Sequence, residues 1–256
     1  MPNQVVAFEH PLNERIRTFL RLEHLFNKID HFLPQPEEWA TRAVVESLLD
    51  ILSITLRADI KTEILKELDR HTTVLERLGK QSGVDAHALT RVLEDLGGVA
   101  EKIYRLEGQI AQPLRENDFL KSIIQRSSIP GGTCSFDLPH YHHWLHLPHP
   151  ARQRQLDAWM QDMLPIRDGV TLLLSLARSS TDPRAATAPA GFFQDTLDSQ
   201  APVQMVRVEI DAGLPLFPEV SGHKHRFNIR FMEVAETGRP VQTNREVNFL
   251  LTCCVF

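Results

Sequence analysis

Apolar positions Ile16, Phe19, Leu20, Phe26 and Ile29 recur at spacings of three and four, and Glu23 is the only polar residue on that face. This period predicts an amphipathic helix, with Asn13 placed to cap it. A second helix opens near Pro36, a residue suited to a first helical position, and carries Trp39, Ala43, Leu48, Leu49 and Leu52. A third runs from about Asp59 to Leu78, with Ile60, Ile64, Leu68 and Leu75 inward and Gly79 ending it. Asp85 caps a fourth that reaches about Leu106, weakened at Gly97-Gly98. Pro113 opens a fifth that ends near Arg126. IPGG (129–132) reads as a turn, and Pro139 keeps TCSFDLP from being a long helix. Helical spacing returns from Arg152 to Ser179, with a break or kink at Pro165.

After Ser179 the character changes. SSTDPRAATAPAG (179–191) is small, polar and proline-containing, which reads as a linker or exposed loop. Beyond it the period becomes two. Val206, Val208 and Ile210 alternate with Arg207 and Glu209, and Phe227, Ile229 and Phe231 alternate with Arg226, Asn228 and Arg230. After a turn at TGRP, Val247, Phe249 and Leu251 alternate in REVNFLLTCC. These are antiparallel strands with one wet face. Gln4 to Phe8 is short and β-prone, and its backbone groups need a partner sheet. The predicted class is α+β: a strand at 1–9 joining the β domain, a mainly α-helical domain at 10–180, and a small antiparallel β-strand domain at 181–256.

Composition narrows the function classes. Hydrophobic residues make up 42% of the 256, enough for a packed core. A net charge of -5 argues against non-specific nucleic-acid binding, so an anionic partner needs a local basic patch. Three cysteines, Cys134, Cys253 and Cys254, form no C-x-x-C, which fits a reducing compartment. The opening residues MPNQVVAFEH lack a signal-peptide core, and VTLLLSLA (170–177) is too short to cross a bilayer. The expectation is a cytoplasmic protein with no membrane insertion.

Candidate chemistry begins at FDLPHYHHWLHLPH (136–149), where His140, His142, His143, His146 and His149 crowd together. Helical spacing would let His142 and His146 share a metal. Yet Pro139, Pro148 and Pro150 confine the run to about two turns, and H-E-x-x-H is absent, so no metal site is assigned. Cys134 near these histidines is a weak case for a catalytic thiol, since free cysteines are more often small buried hydrophobes. No phosphate loop and no G-x-S-x-G occurs, so no catalytic residue and no cofactor is assigned. KTEILKELDR (61–70) reads as a solvated helix face, paired through Glu63–Lys66 and Glu67–Arg70. The basic run is different. Lys224, Arg226 and Arg230 share one parity, opposite Phe227, Ile229 and Phe231, so a strand there concentrates positive charge on one face. The plain alternative is an ordinary solvated strand face. Nucleic acid fits it poorly, because the neighbouring aromatics point the other way.

Several stretches taken together resemble the ZapD family of cell-division proteins: FEHPLNERIRTFLRLE, KTEILKELDR, SIPGGTCSFDLP, WLHLP, GFFQD and SGHKHRFNIRFM, in order along nearly the whole chain. The resemblance implies a cytoplasmic, non-enzymatic, cofactor-free homodimer with a helical and a β-strand domain, located at the mid-cell division ring. It implies binding to the tubulin-like GTPase FtsZ, at least partly through its C-terminal tail, and cross-linking of FtsZ protofilaments into bundles. Carried over by motif, Arg226, Arg230 and Lys224 match the GHK-x-RF-x-IRF segment, Arg21 the first helix, Arg115 the LRE segment, and His142 and His146 the FDLP-to-WLHLP stretch. Asp118 stands where the pattern leads one to expect a further arginine.

Overall fold

Asn13 caps the first helix: its Oδ1 accepts from the backbone N–H of Ile16 at 2.9 Å, and α1 (Glu14–Phe32) follows. The structure is a computed structural model, which describes residues 4–81, 83–197, 202–223, 225–234 and 238–255. It divides into two compact units, one formed by residues 20–173 and the other by 1–19 with 174–256, so the divisions fall inside α1 and inside the last helix.

The unit of residues 20–173 is helical. Its elements after α1 are α2 (Glu38–Arg57), α3 (Ile60–Leu78), α4 (Ala86–Tyr104), α5 (Gln112–Glu116), α6 (Asp118–Ser127), α7 (Pro139–Leu145), α8 (His149–Met160) and the start of α9 (Leu164–Arg178). The caps at Asp59 and Asp85 form as their residue types predict, each accepting from backbone N–H groups of the following turn. Gly97 and Gly98 lie inside α4 without breaking it. The single helix expected from Pro113 to Arg126 is instead two, because Asn117 is extended and its Oδ1 accepts from Leu120 N at 3.1 Å. An asparagine that can restart a helix outcompetes continuation. Pro165 falls in the first turn of α9, after one turn of 3-10 helix, where its missing N–H has no cost.

Leu22, Phe26, Ile29, Leu48, Ile51, Leu52, Ile60, Ile64 and Leu68 are fully buried in this unit, each contributing roughly 1.5–3 kcal/mol by leaving water. Leu22 was not on the face read from the sequence. Trp39, grouped with the α2 residues by spacing, is 76% exposed and lies against Arg42, whose Cζ is 5.2 Å from its ring centre. Glu67 is buried rather than solvated, and accepts from Arg70 Nη2 at 2.6 Å. Gly169 lets α9 approach closely: a Cβ there would lie 2.9 Å from Ile64 Cγ2 and 3.1 Å from Ile103 Cδ1.

The WLHLP segment is held by rings. Trp144 stacks on Tyr141 at 6.0 Å and on Trp159 at 5.8 Å, and its indole N–H donates to Gln155 Oε1 at 2.7 Å. Beside this cluster Arg152 is only 4% exposed. Its guanidinium donates to Thr41 Oγ1 and to the Pro36 carbonyl, both at 2.6 Å, tying α8 to the start of α2. No carboxylate among the described residues pairs with it. Removing it leaves the buried Thr41 hydroxyl and the part-buried Pro36 carbonyl short of a donor, so Arg152→Ala is expected to lower stability by about 2–3 kcal/mol. Arg152→Met keeps the stem packing and is expected to lose less. Urea midpoints of the two variants provide the check.

The second unit carries two antiparallel sheets. In the first, β1 (Val5–Pro11), β4 (Val203–Asp211), β8 (Val247–Val255) and β2 (Arg184–Ala188) lie in the order β1-β4-β8-β2. The N-terminal strand therefore does join the sheet, pairing Val5 with Asp211 through Pro11 with Met205. In the second the order is β3 (Phe192–Thr196), β6 (Arg226–Glu233), β5 (Leu216–His223), with the short β7 (Val241–Gln242) also paired to β6. The inner faces share one core, built from Val206, Val208, Ile210, Phe227, Ile229, Phe231 and Phe249 among others. On the opposite face of the first sheet Glu9 accepts from Arg178 Nε at 2.7 Å and from Arg207 Nη1 at 3.2 Å.

Residues 184–188, read as linker, form an edge strand of the first sheet. Its alternation is carried by Ala186 and Ala188, which turn inward but have weak β propensity. β5 was also missed. Pro218 sits within it, and a proline is tolerated there because β5 is an edge.

Candidate partner-binding surface

The strand β6 is bonded on both sides, so its face is fixed by two ladders. Phe227, Ile229 and Phe231 are fully buried in the core. Arg226 and Arg230 are exposed on the opposite face, as the parity predicts. The register completes that face. Arg230 lies between Phe192 and Glu219, Asn228 between Gln194 and Ser221, and Arg226 between Thr196 and His223. Among the described residues neither arginine side chain makes a hydrogen bond or ion pair, and Glu219 does not close a bridge to Arg230. Asn228 Oδ1 is enclosed between them and has no hydrogen-bond partner. The arrangement offers two guanidinium forks four residues apart on one face of a strand paired on both sides, which suits carboxylates on an extended or flexible segment.

The close approach at the β5–β6 corner explains the glycine of SGHK. Gly222 pairs with Phe227, and a Cβ on it would lie 2.6 Å from Phe227 Cβ. Lys224, expected on the same face as the arginines, lies outside the described residues. The neighbours Gln194, Thr196, Ser221 and His223 were not identified from the sequence, because β3 and β5 themselves were not. FFQDT has no alternation of apolar and polar residues that could have marked it as a strand.

The remaining predicted residues belong to the helical unit. Arg21 is exposed on α1. Arg115 is half-buried and committed: it donates to the Thr55 carbonyl at 3.1 Å, to Thr55 Oγ1 at 3.2 Å and to Gln109 Oε1 at 2.7 Å. It borders a cleft of about 580 Å³ that also presents Arg57 and Lys61. Asp118 stands in the first turn of α6, a favourable place for an acid, and pairs with Lys121 at 3.2 Å. His142 is half-buried on α7, with its ring 4.4 Å from that of His146. His146 Nδ1 donates to the His142 carbonyl at 2.8 Å, and its Nε2 lies 4.0 Å from Glu38 Oε2. Among the described residues no group of three or more His, Cys, Asp or Glu is placed to hold a metal ion.

The thiols of Cys253 and Cys254 are poor nucleophiles. Burial pushes Cys254 up to about 12, with Glu9 adding to the effect, and burial also raises Cys253. As strand neighbours the two side chains point to opposite faces, and all three cysteines are free. Among the described residues no helix is long and apolar enough to cross a membrane.

Comparison with known proteins agrees along the whole chain. The sequence profile of the ZapD family, described as a cell division protein, matches residues 20–230. The cell division protein ZapD of Methylococcus capsulatus (strain Bath) is 44% identical over 255 residues, covering 100% of both chains. That of Azoarcus sp. (strain BH72) is 38% identical over 98% of this chain and 99% of its own. That of Nitrosomonas europaea is 37% identical over 98% of this chain and 95% of its own. The chain belongs to the ZapD family of cell division proteins.

Proposed function

We propose that this protein binds FtsZ directly and cross-links its protofilaments, as a non-enzymatic, cofactor-free factor of the cytoplasmic division ring. The observation that carries the reading is the pair of arginines, Arg226 and Arg230, unpartnered among the described residues and held on one face of β6 in a member of this family. Flexible acidic segments are natural ligands for such a face. The C-terminal tail of FtsZ is the segment assigned to it, and Arg21, Arg115, His142 and Lys224 are proposed as further residues that contact FtsZ. The protein acts as a homodimer in this reading. A two-fold axis repeats the face, so one dimer meets two filaments, and many weak contacts along a polymer add up to firm association.

The test is co-sedimentation with FtsZ polymerised by GTP, using FtsZ with and without its C-terminal tail. Pelleting and bundling are expected with the intact polymer and not with the tailless one; equal pelleting of both would overturn the assignment to the tail. Exposed charge pairs are screened within about 8–10 Å near physiological ionic strength. Bundling, read by light scattering, is therefore expected to fall steadily as salt is raised, and a salt-independent signal would contradict a charge-based contact.

A further inference from the structure

The phase of the ladders in the second sheet decides which of its backbone groups face outward. Antiparallel pairs alternate between positions that exchange hydrogen bonds and positions that do not. Val234 N donates to the Pro215 carbonyl at 3.4 Å, which sets the phase of the β5–β6 ladder. Phe217, Glu219, Ser221 and His223 turn their backbone groups to β6, while Leu216, Pro218, Val220 and Gly222 turn theirs away. Two observations agree with this phase. On its other side β6 accepts through residues of the other parity, Phe231 from Thr243 N at 2.9 Å and His225 from Leu197 N at 2.8 Å. Pro218, which has no N–H, stands where β6 needs none. Among the described residues no strand pairs with the outer side of β5, so Val220 and Gly222 direct N–H and C=O groups away from the sheet.

Sheet edges are usually blocked, because open backbone groups recruit other strands. The opposite edge, β3, is blocked: the outward N–H of Thr196 is taken by Asp195 Oδ1 at 2.8 Å, and Asp195 also bridges to Arg184 on β2. On β5 only Pro218 interrupts the edge, and Ser221, Gly222 and His223 are all exposed. Its inner rim is open as well. Leu216 and Val220 pack against the shared core but stay half-buried. On the outer face Ser221 pairs with Asn228 and His223 with Arg226, while Glu219 pairs with Arg230. Neighbouring strands lie about 4.8 Å apart. A strand laid on β5 is therefore two strands from β6, within the combined reach of an arginine and an acidic side chain.

We propose that an extended acidic segment of the partner adds to the free edge of β5 as a further strand, its backbone bonded to Val220 and Gly222. Alternate side chains of such a strand point to opposite faces. One set covers the half-buried Val220, and the other brings a carboxylate past Ser221 or His223 toward Arg226. Glu219 disfavours an acid opposite itself, which fixes the register. The inference rests on the reading of the arginine face as the site of the FtsZ tail, and adds how that tail is held: the backbone ladder supplies affinity and the arginines select for acid.

The test uses the full-length chain, labelled with 15N and deuterium, and a synthetic peptide of the FtsZ C-terminal tail. Amide hydrogen exchange is followed with and without saturating peptide. Exchange at Val220 and Gly222 is expected to slow by about ten-fold or more, and at Ser221, already bonded to β6, to change much less. Val220→Pro removes one outward N–H and none of the β5–β6 bonds. It is expected to weaken peptide binding about five- to ten-fold, the scale of one hydrogen bond, whereas Val220→Thr keeps the N–H and is expected to bind like the parent. Saturable binding that shifts the Arg226 and Arg230 amides but leaves exchange at Val220 and Gly222 unchanged would overturn strand addition and leave the arginine face standing. No binding of the peptide would overturn both. Parent-like affinity of Val220→Pro would overturn strand addition too; if that variant does not fold, the exchange measurement on the parent chain decides.

Discussion

Replacing Arg226 and Arg230 together by glutamate is expected to drop co-sedimentation with FtsZ polymers to background while leaving the thermal melt near that of the parent protein. Both side chains are exposed, and neither holds a partner within the fold among the described residues, so little native energy is lost with them. Their backbone stays in the same ladders with β3 and β5. The double substitution moves the charge of the face by about four units and turns attraction for an acidic tail into repulsion. The neutral pair Arg226→Gln with Arg230→Gln should retain intermediate pelleting, which separates charge from shape. Full bundling by the glutamate variant would show that β6 is not the binding strand.

The largest expected loss of stability comes from the other side of the same strand. Phe231→Ala is expected to cost about 3–5 kcal/mol, the usual range for a fully buried phenylalanine cut to alanine. Phe231 is fully buried, its ring centre lies 5.0 Å from that of Phe249 on β8, and it pairs with Pro218 in the β5–β6 ladder. The cavity would sit where the inner faces of the two sheets meet, with β-strand backbone on either side that cannot readily collapse into it. Urea unfolding followed by far-ultraviolet circular dichroism should show a markedly lower midpoint. A shift of less than about 1 kcal/mol would mean that the sheets repack around the gap.

The parts of this fold that were legible in the sequence carry a strong period or a local cap. α1 announces itself through Asn13 and its apolar stripe, α3 and α4 through Asp59 and Asp85, and β6 through the strict alternation of Phe227, Ile229 and Phe231 with arginines. What was not legible depends on partners far along the chain. β2 is a strand because β8 supplies its ladder, not because RAATA has any strong preference of its own. β5 contains a proline that only an edge position accommodates. The candidate face divides in the same way. The arginine pair was readable from parity alone. Its flanking residues on β3 and β5 were not, and neither was the engagement of Arg115 with Thr55, 60 positions earlier.

The pairing of β1 with β4 also bears on how the chain is made. Val5 must wait for Asp211 before its strand has a neighbour. At about 5–20 residues per second, a ribosome takes roughly 10–40 s to cover that interval. Residues 20–173 emerge in the meantime as one uninterrupted stretch with a core of their own. Synthesis therefore imposes a sequence of events: helices first, with the strand of Val5 to Pro11 held unpaired, and the sheet closed only when the last third of the protein arrives.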